Sequence, residues 1–141
     1  MNTQIYEILD QFKAATTRQA KIYVLRSNDS KTLRDVLSLA YSPYIQFYTT
    51  FLPKMYQPDT DSRPGMGWSH LGVEIRKMYL FVKDHPASSK LSFEKKEELL
   101  TQMLESLEPR EADVVITIFR KELASDLTKD LVDEAFPHLL G

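Results

Sequence analysis

The sequence predicts an all-α fold. It holds only four glycines in 141 residues, too few for the many tight turns of an all-β domain of this size. Apolar residues recur three and four apart in about seven successive segments. Most of these segments open on Ser, Thr or Pro, residues that cap or begin helices. The length suits one domain over residues 1–141, built from about seven helices in short helical hairpins.

The first helix spans about residues 3–15, with Ile5, Ile8, Leu9 and Phe12 on one stripe. Thr16 and Gln19 have the form of a capping box for a second helix, which runs to about Arg26 and turns Ala20, Val24 and Tyr23 inward. Ser30 caps a third helix, about residues 31–41, whose apolar face is Leu33, Val36, Leu37 and Ala40. Pro43 stops it, because the residue before a proline is pushed out of the α region. The run Tyr44 to Phe51 is apolar and β-branched, and its period leaves open an extended strand or a distorted helix. Residues 57–67, with two prolines and two glycines, form the one long loop.

A fourth helix is expected over residues 68–83, burying Leu71, Ile75, Met78, Tyr79 and Val82, with Glu74, Arg76, Lys77 and Lys83 off that face. Ser92 caps a fifth helix with Leu99, Leu100, Met103, Leu104 and Leu107 inward. Pro109 begins a sixth, whose stripe is Ala112, Val115, Ile116, Phe119 and Leu123. Thr128 caps a last short helix that Phe136-Pro137 ends.

Composition narrows the chemistry. There is no cysteine, so disulfides, thiolate metal sites and a cysteine nucleophile are excluded. No apolar run reaches the roughly 20 residues of a membrane span, and the opening residues do not form a signal peptide, so a soluble cytoplasmic protein without membrane contact is expected. The net charge of −2 is unevenly spread: residues 1–56 hold seven basic and four acidic side chains, whereas residues 91–141 hold six and twelve. Tight, sequence-blind DNA binding needs many Lys and Arg contacts to phosphate, which this balance does not favour.

Catalytic motifs are absent. His70 and Glu74 stand four apart, but two ligands are too few for a metal. Asp59-Thr60-Asp61 lacks the glycine and glutamate of a calcium loop. There is neither a phosphate-binding glycine loop nor a nucleophile elbow. No enzyme activity and no cofactor are expected. The aromatic residues Tyr41, Tyr44, Phe47, Tyr48 and Phe51 read as core, with base stacking as the functional alternative.

Two blocks together carry a resemblance. The first contains Tyr41, Ser42, Gln46, Phe47, Tyr48, Pro53 and Lys54. The second contains Lys121, Glu122 and Leu123, then Phe136, Pro137, Leu139 and Leu140. In order and spacing they resemble the N-terminal helical DNA-binding domain of ATP-dependent DNA ligases of T-even-type bacteriophages, over about two thirds of the chain. The adenylated lysine motif of a ligase (K-x-D-G) does not occur, so the resemblance implies a free-standing, non-catalytic copy of that domain, phage-encoded and working in the host cytoplasm. It implies weak binding of duplex or nicked DNA through backbone phosphates, with Lys31, Arg34, Lys54, Arg63, Arg76, Lys77 and Lys121 as candidate contacts. Asp126 and the pair Asp133-Glu134 depart from the ligase pattern, toward acid. This suggests a second reading, a protein-binding module that presents Glu94, Glu97, Glu98, Glu105, Glu108, Glu111 and Asp113 to a host or phage protein. A homo-oligomer is also compatible with the sequence.

Overall fold

The computed structural model describes residues 4–47 and 69–140. Tyr48, Phe51, Lys54, Arg63 and the 57–67 loop lie outside the described residues. Eight α-helices and one 3₁₀ segment make up the described chain, with no strand among these residues beyond two isolated bridges. The fold is all-α.

The helices are α1 (Ile5–Ala14), α2 (Arg18–Ser27), α3 (Lys31–Tyr41), α4 (Leu71–Glu74), α5 (Pro86–Ser89), α6 (Phe93–Ser106), α7 (Pro109–Phe119) and α8 (Lys129–Ala135), with the 3₁₀ segment Ile75–Phe81 following α4. They fall into two compact units. The first holds α1, α2, α3, the end of α7 and α8; the second runs from Gln46 to Ile116.

In the first unit α1 packs on α2, and α8 packs on both α2 and α3. The stripe Ile5, Ile8, Leu9 and Phe12 of α1 is buried as its spacing requires. Each fully buried Leu, Ile or Phe contributes about 1.5–3 kcal/mol. Ser30 caps α3 by accepting the Leu33 N–H at 3.1 Å, and Thr128 caps α8 by accepting from Leu131. The cap of α2 is Thr17, which accepts from Ala20 at 3.1 Å, and not Thr16. The inward face also differs from the expected one: Ile22 and Leu25 are buried, Ala20 and Val24 only partly, and Tyr23 is 72% exposed. Lys21 completes the packing, its ammonium 4.6 Å over the Phe12 ring and bonded to the Phe12 carbonyl.

In the second unit the helix expected over residues 68–83 is one α-turn followed by the tighter 3₁₀ winding. With three residues per turn, side chains at i and i+3 eclipse, so Ile75, Met78 and Phe81 form the buried ridge. Sequence spacing of three and four fits either winding. Tyr79, expected inside, is exposed, and Glu74, expected outside, is buried. The segment ends where Val82 bridges Phe47 and Lys83 donates to the Gln46 carbonyl. A short helix, α5, then starts at Pro86. Ser92 caps α6 by accepting from Lys95.

Candidate functional site

Two residues of the first sequence block, Tyr41 and Ser42, meet the second block inside the first unit. α7 ends at Phe119, four residues before its expected end, in a left-handed turn. The Lys121 N–H donates to the Ile118 carbonyl and the Glu122 N–H to the Thr117 carbonyl, with Lys121 at φ 60°. This is the paired bonding of a Schellman motif, whose left-handed position is usually glycine. A lysine there costs roughly 1 kcal/mol against glycine. Its side chain offsets that cost. The ammonium donates to the carbonyls of Leu39, Ser42 and Ile45 at 2.8, 3.0 and 2.9 Å, which satisfies one carbonyl in the last turn of α3 and two beyond it. Burial pulls its pKa below the ordinary lysine range.

Tyr41 closes the latch from the other side. Its hydroxyl accepts from the Leu123 N–H at 3.0 Å and donates to the Leu127 carbonyl at 2.6 Å. Burial, ahead of every other influence, raises its pKa. Ser42, itself buried, donates to the Leu140 carbonyl. Tyr41 and Phe47 are thus structural, while Tyr44, between them in sequence, is 80% exposed. Lys121 has its ammonium committed to main-chain carbonyls, so it is not presented to a phosphate.

Lys31 and Arg34 occupy the first turn of α3. Lys31 pairs with Asp35 at 3.0 Å. Arg34 grips Asp29 with two bonds, at 2.7 and 2.9 Å, and its guanidinium lies 5.0 Å from the Phe136 ring centroid. Those bonds from Arg34 hold the Asp29 carboxyl below its ordinary pKa. The acidic departures from the ligase pattern have partners of the same kind: Asp126 binds Lys21 at 2.8 Å, Asp133 binds Lys129 at 3.0 Å and Glu134 binds Arg18 at 2.9 Å. Arg26 donates to the Glu134 and Ala135 carbonyls. Seven of the nine basic side chains of this unit are therefore engaged within it, which leaves few cations for a ligand.

In the second unit Lys77 pairs with the buried Glu74, whose other oxygen accepts from the Ser69 hydroxyl at 2.8 Å. Arg76 is exposed. Among the acidic candidates Glu94, Glu98, Glu105 and Asp113 are exposed, and Glu97 and Glu108 are half-buried. An open groove of about 380 Å³ runs along Glu94, Glu97, Glu98, Thr101 and Gln102. Glu111 is not part of any acidic surface: it is 2% exposed, and its carboxylate accepts the Leu71 N–H at 2.9 Å at the start of α4. Burial raises its pKa. Helical periodicity could not separate Glu111 or Glu74 from their solvated neighbours, because a buried carboxylate differs from an exposed one only in its partners. Among the described residues no three His, Asp or Glu side chains converge as a metal set, and no helix is long and apolar enough to cross a membrane.

Residues 8–125 match one family, described as a family of unknown function (DUF6433). The chain belongs to the DUF6433 family. The span that matches DUF6433 takes in both sides of the latch, Tyr41 and Ser42 on one and Lys121 to Leu123 on the other, and stops before α8. No curated protein matches the chain.

Proposed function

We propose that the chain is a non-catalytic helical module of DNA metabolism that binds duplex or nicked DNA weakly through backbone phosphates. One observation carries the reading. The two blocks in which the sequence resembles the phage ligase DNA-binding domain are joined through Tyr41, Ser42 and Lys121. This joining supports reading the two blocks as parts of one scaffold. The contacts fall to Lys31 and Arg34, on the first turn of α3, where free N–H groups and the helix dipole favour an anion. Both side chains must exchange a carboxylate for a phosphate. Both ion pairs are exposed and screened by solvent, so this exchange is accessible but leaves the affinity low.

Fluorescence anisotropy of a nicked duplex tests it. Binding at about 20 mM salt should weaken with a log–log slope of roughly −2, as two phosphate contacts require. A flat titration at low salt overturns the reading.

A second reading has its own support. Asp126, Asp133 and Glu134, the acidic departures, all neutralise cations of the same unit, and α6 presents an acidic groove. This suits a protein-binding module that uses the ligase-type scaffold without its basic face. Capture from host lysate on the wild-type chain and on a Glu94→Lys/Glu98→Lys variant discriminates it. A partner held by the first and lost by the second supports the protein reading; equal retention, or none, counts against it.

A further inference from the structure

We propose that the exposed ridge of the 3₁₀ segment, Arg76 and Tyr79, is a stacking platform for unpaired bases of single-stranded nucleic acid. The three-residue winding that buries Ile75, Met78 and Phe81 turns Arg76 and Tyr79 outward along one line. Tyr79 is 45% exposed. It does not swing freely. The His85 ring lies against it, with centroids 5.2 Å apart and planes inclined at 47°. His85 is itself held, since its Nδ1 accepts the Ala87 N–H at 3.1 Å. The turn between the two rings is tied down by the Lys83 N–H on the Gln46 carbonyl and by the Ser88 hydroxyl on the Val82 carbonyl. The Tyr79 ring is held by an aromatic neighbour and remains partly open to solvent.

Charge selects the occupant. Arg76 and Lys83 are exposed and have no ion-pair partner among the described residues, unlike Lys31, Arg34 and Lys77. Residues 71–90 hold four basic and two acidic side chains, and the Glu74 carboxylate is already taken by Ser69 and Lys77. Asp84 is the one exposed acid of the stretch. An exposed aromatic with the unpaired cation Arg76 one 3₁₀ turn away is complementary to a chain that alternates planar bases with phosphates. A duplex keeps its base faces stacked internally, so the platform suits an unpaired segment, and the proposal stands apart from the duplex reading.

The experiment is anisotropy of short fluorescent oligothymidylate and oligouridylate at about 20 mM salt; the two probes distinguish DNA from RNA as the source of the strand. Wild type should bind at least one of them. Tyr79→Ala should weaken binding about tenfold, and Tyr79→Phe, which keeps the ring, should stay within about twofold. Arg76→Ala should reduce the salt slope by about one. The exposed position makes loss of fold in Tyr79→Ala an unexpected result; should it occur, Arg76→Ala and Tyr79→Phe still decide. Absence of binding to both probes, wild-type affinity in Tyr79→Ala, or equal loss in Tyr79→Phe and Tyr79→Ala overturns the proposal. The nicked-duplex titration tests the other reading, so either can fail alone.

Discussion

The ammonium of Lys121 stands 3.0 Å from the Ser42 carbonyl oxygen and joins residues 79 positions apart in sequence. The same lysine occupies the left-handed turn that ends α7. One residue thus carries a backbone conformation that favours glycine and a side chain that glycine cannot supply. A residue in a sparsely populated conformation persists only where its surroundings over-determine it, and here three carbonyls do so.

The first prediction separates the two roles. Lys121→Met removes the charged donors and should cost about 2–3 kcal/mol, the range for hydrogen bonds to a charged group plus carbonyls left unsatisfied. Lys121→Gly also loses the donors but relieves the left-handed turn, so it should be more stable than Lys121→Ala by roughly 1 kcal/mol. Urea unfolding of the three variants checks the order. Equal stability of the Gly and Ala variants would show that the turn is not under backbone constraint.

The second concerns Tyr41. Tyr41→Phe keeps the ring and removes the hydroxyl, leaving the Leu123 N–H and the Leu127 carbonyl without that partner. The expected loss is about 1–3 kcal/mol. Because Tyr41 and Lys121 restrain the same turn, a double-mutant cycle should show coupling of about 0.5 kcal/mol or more. Strict additivity would mean that the latch is two independent contacts.

The third follows from Glu111, whose carboxyl titrates above its ordinary value because it is buried. In the folded state it binds its proton more tightly than in the unfolded chain. Its contribution to stability is therefore full below the ordinary glutamate pKa and is lost as pH rises through the raised folded value. Glu111→Gln keeps an oxygen for the Leu71 N–H and removes the titration. Urea midpoints across that window should fall with rising pH more in wild type than in the variant. Parallel curves would show that this carboxyl does not perturb stability. Asp29 and Asp126 have the opposite sign, with pKa values lowered by Arg34 and Lys21, and so they do not mimic the effect.

The helical class and most helix positions were legible in the sequence, because amphipathic stripes and caps are local signals. Ile5 to Phe12, Ser30, Ser92 and Thr128 behave as their spacing and chemistry require. What was not legible depended on distant partners. The end of α7 is set by Lys121 reaching carbonyls about 80 residues away, and a lysine carries no local sign of a left-handed turn. The choice between α and 3₁₀ winding over Ile75–Phe81 turns on neighbours, since the apolar spacing suits both. Of the candidate site, the basic residues were legible but their neutralisation was not. The partners of Lys31, Arg34 and Lys77 are Asp35, Asp29 and Glu74, close in sequence, but spacing alone does not tell a formed pair from two solvated charges.

The last prediction tests that neutralisation. Asp29→Asn and Asp35→Asn each remove a carboxylate that occupies a cation on the first turn of α3, and the double variant raises the net charge by two. Both carboxylates are solvent-accessible and screened, so the change in stability should be small. If Lys31 and Arg34 meet phosphate, the double variant should bind nicked duplex several-fold more tightly at about 20 mM salt, and the advantage should shrink as salt rises. Reversing the cations, by Lys31→Glu with Arg34→Glu, should abolish binding in the same titration. If freeing the two cations leaves the affinity unchanged while the variant stays folded, the α3 terminus is not a phosphate contact. The intramolecular pairs would then serve to neutralise the surface, as the protein-binding reading requires.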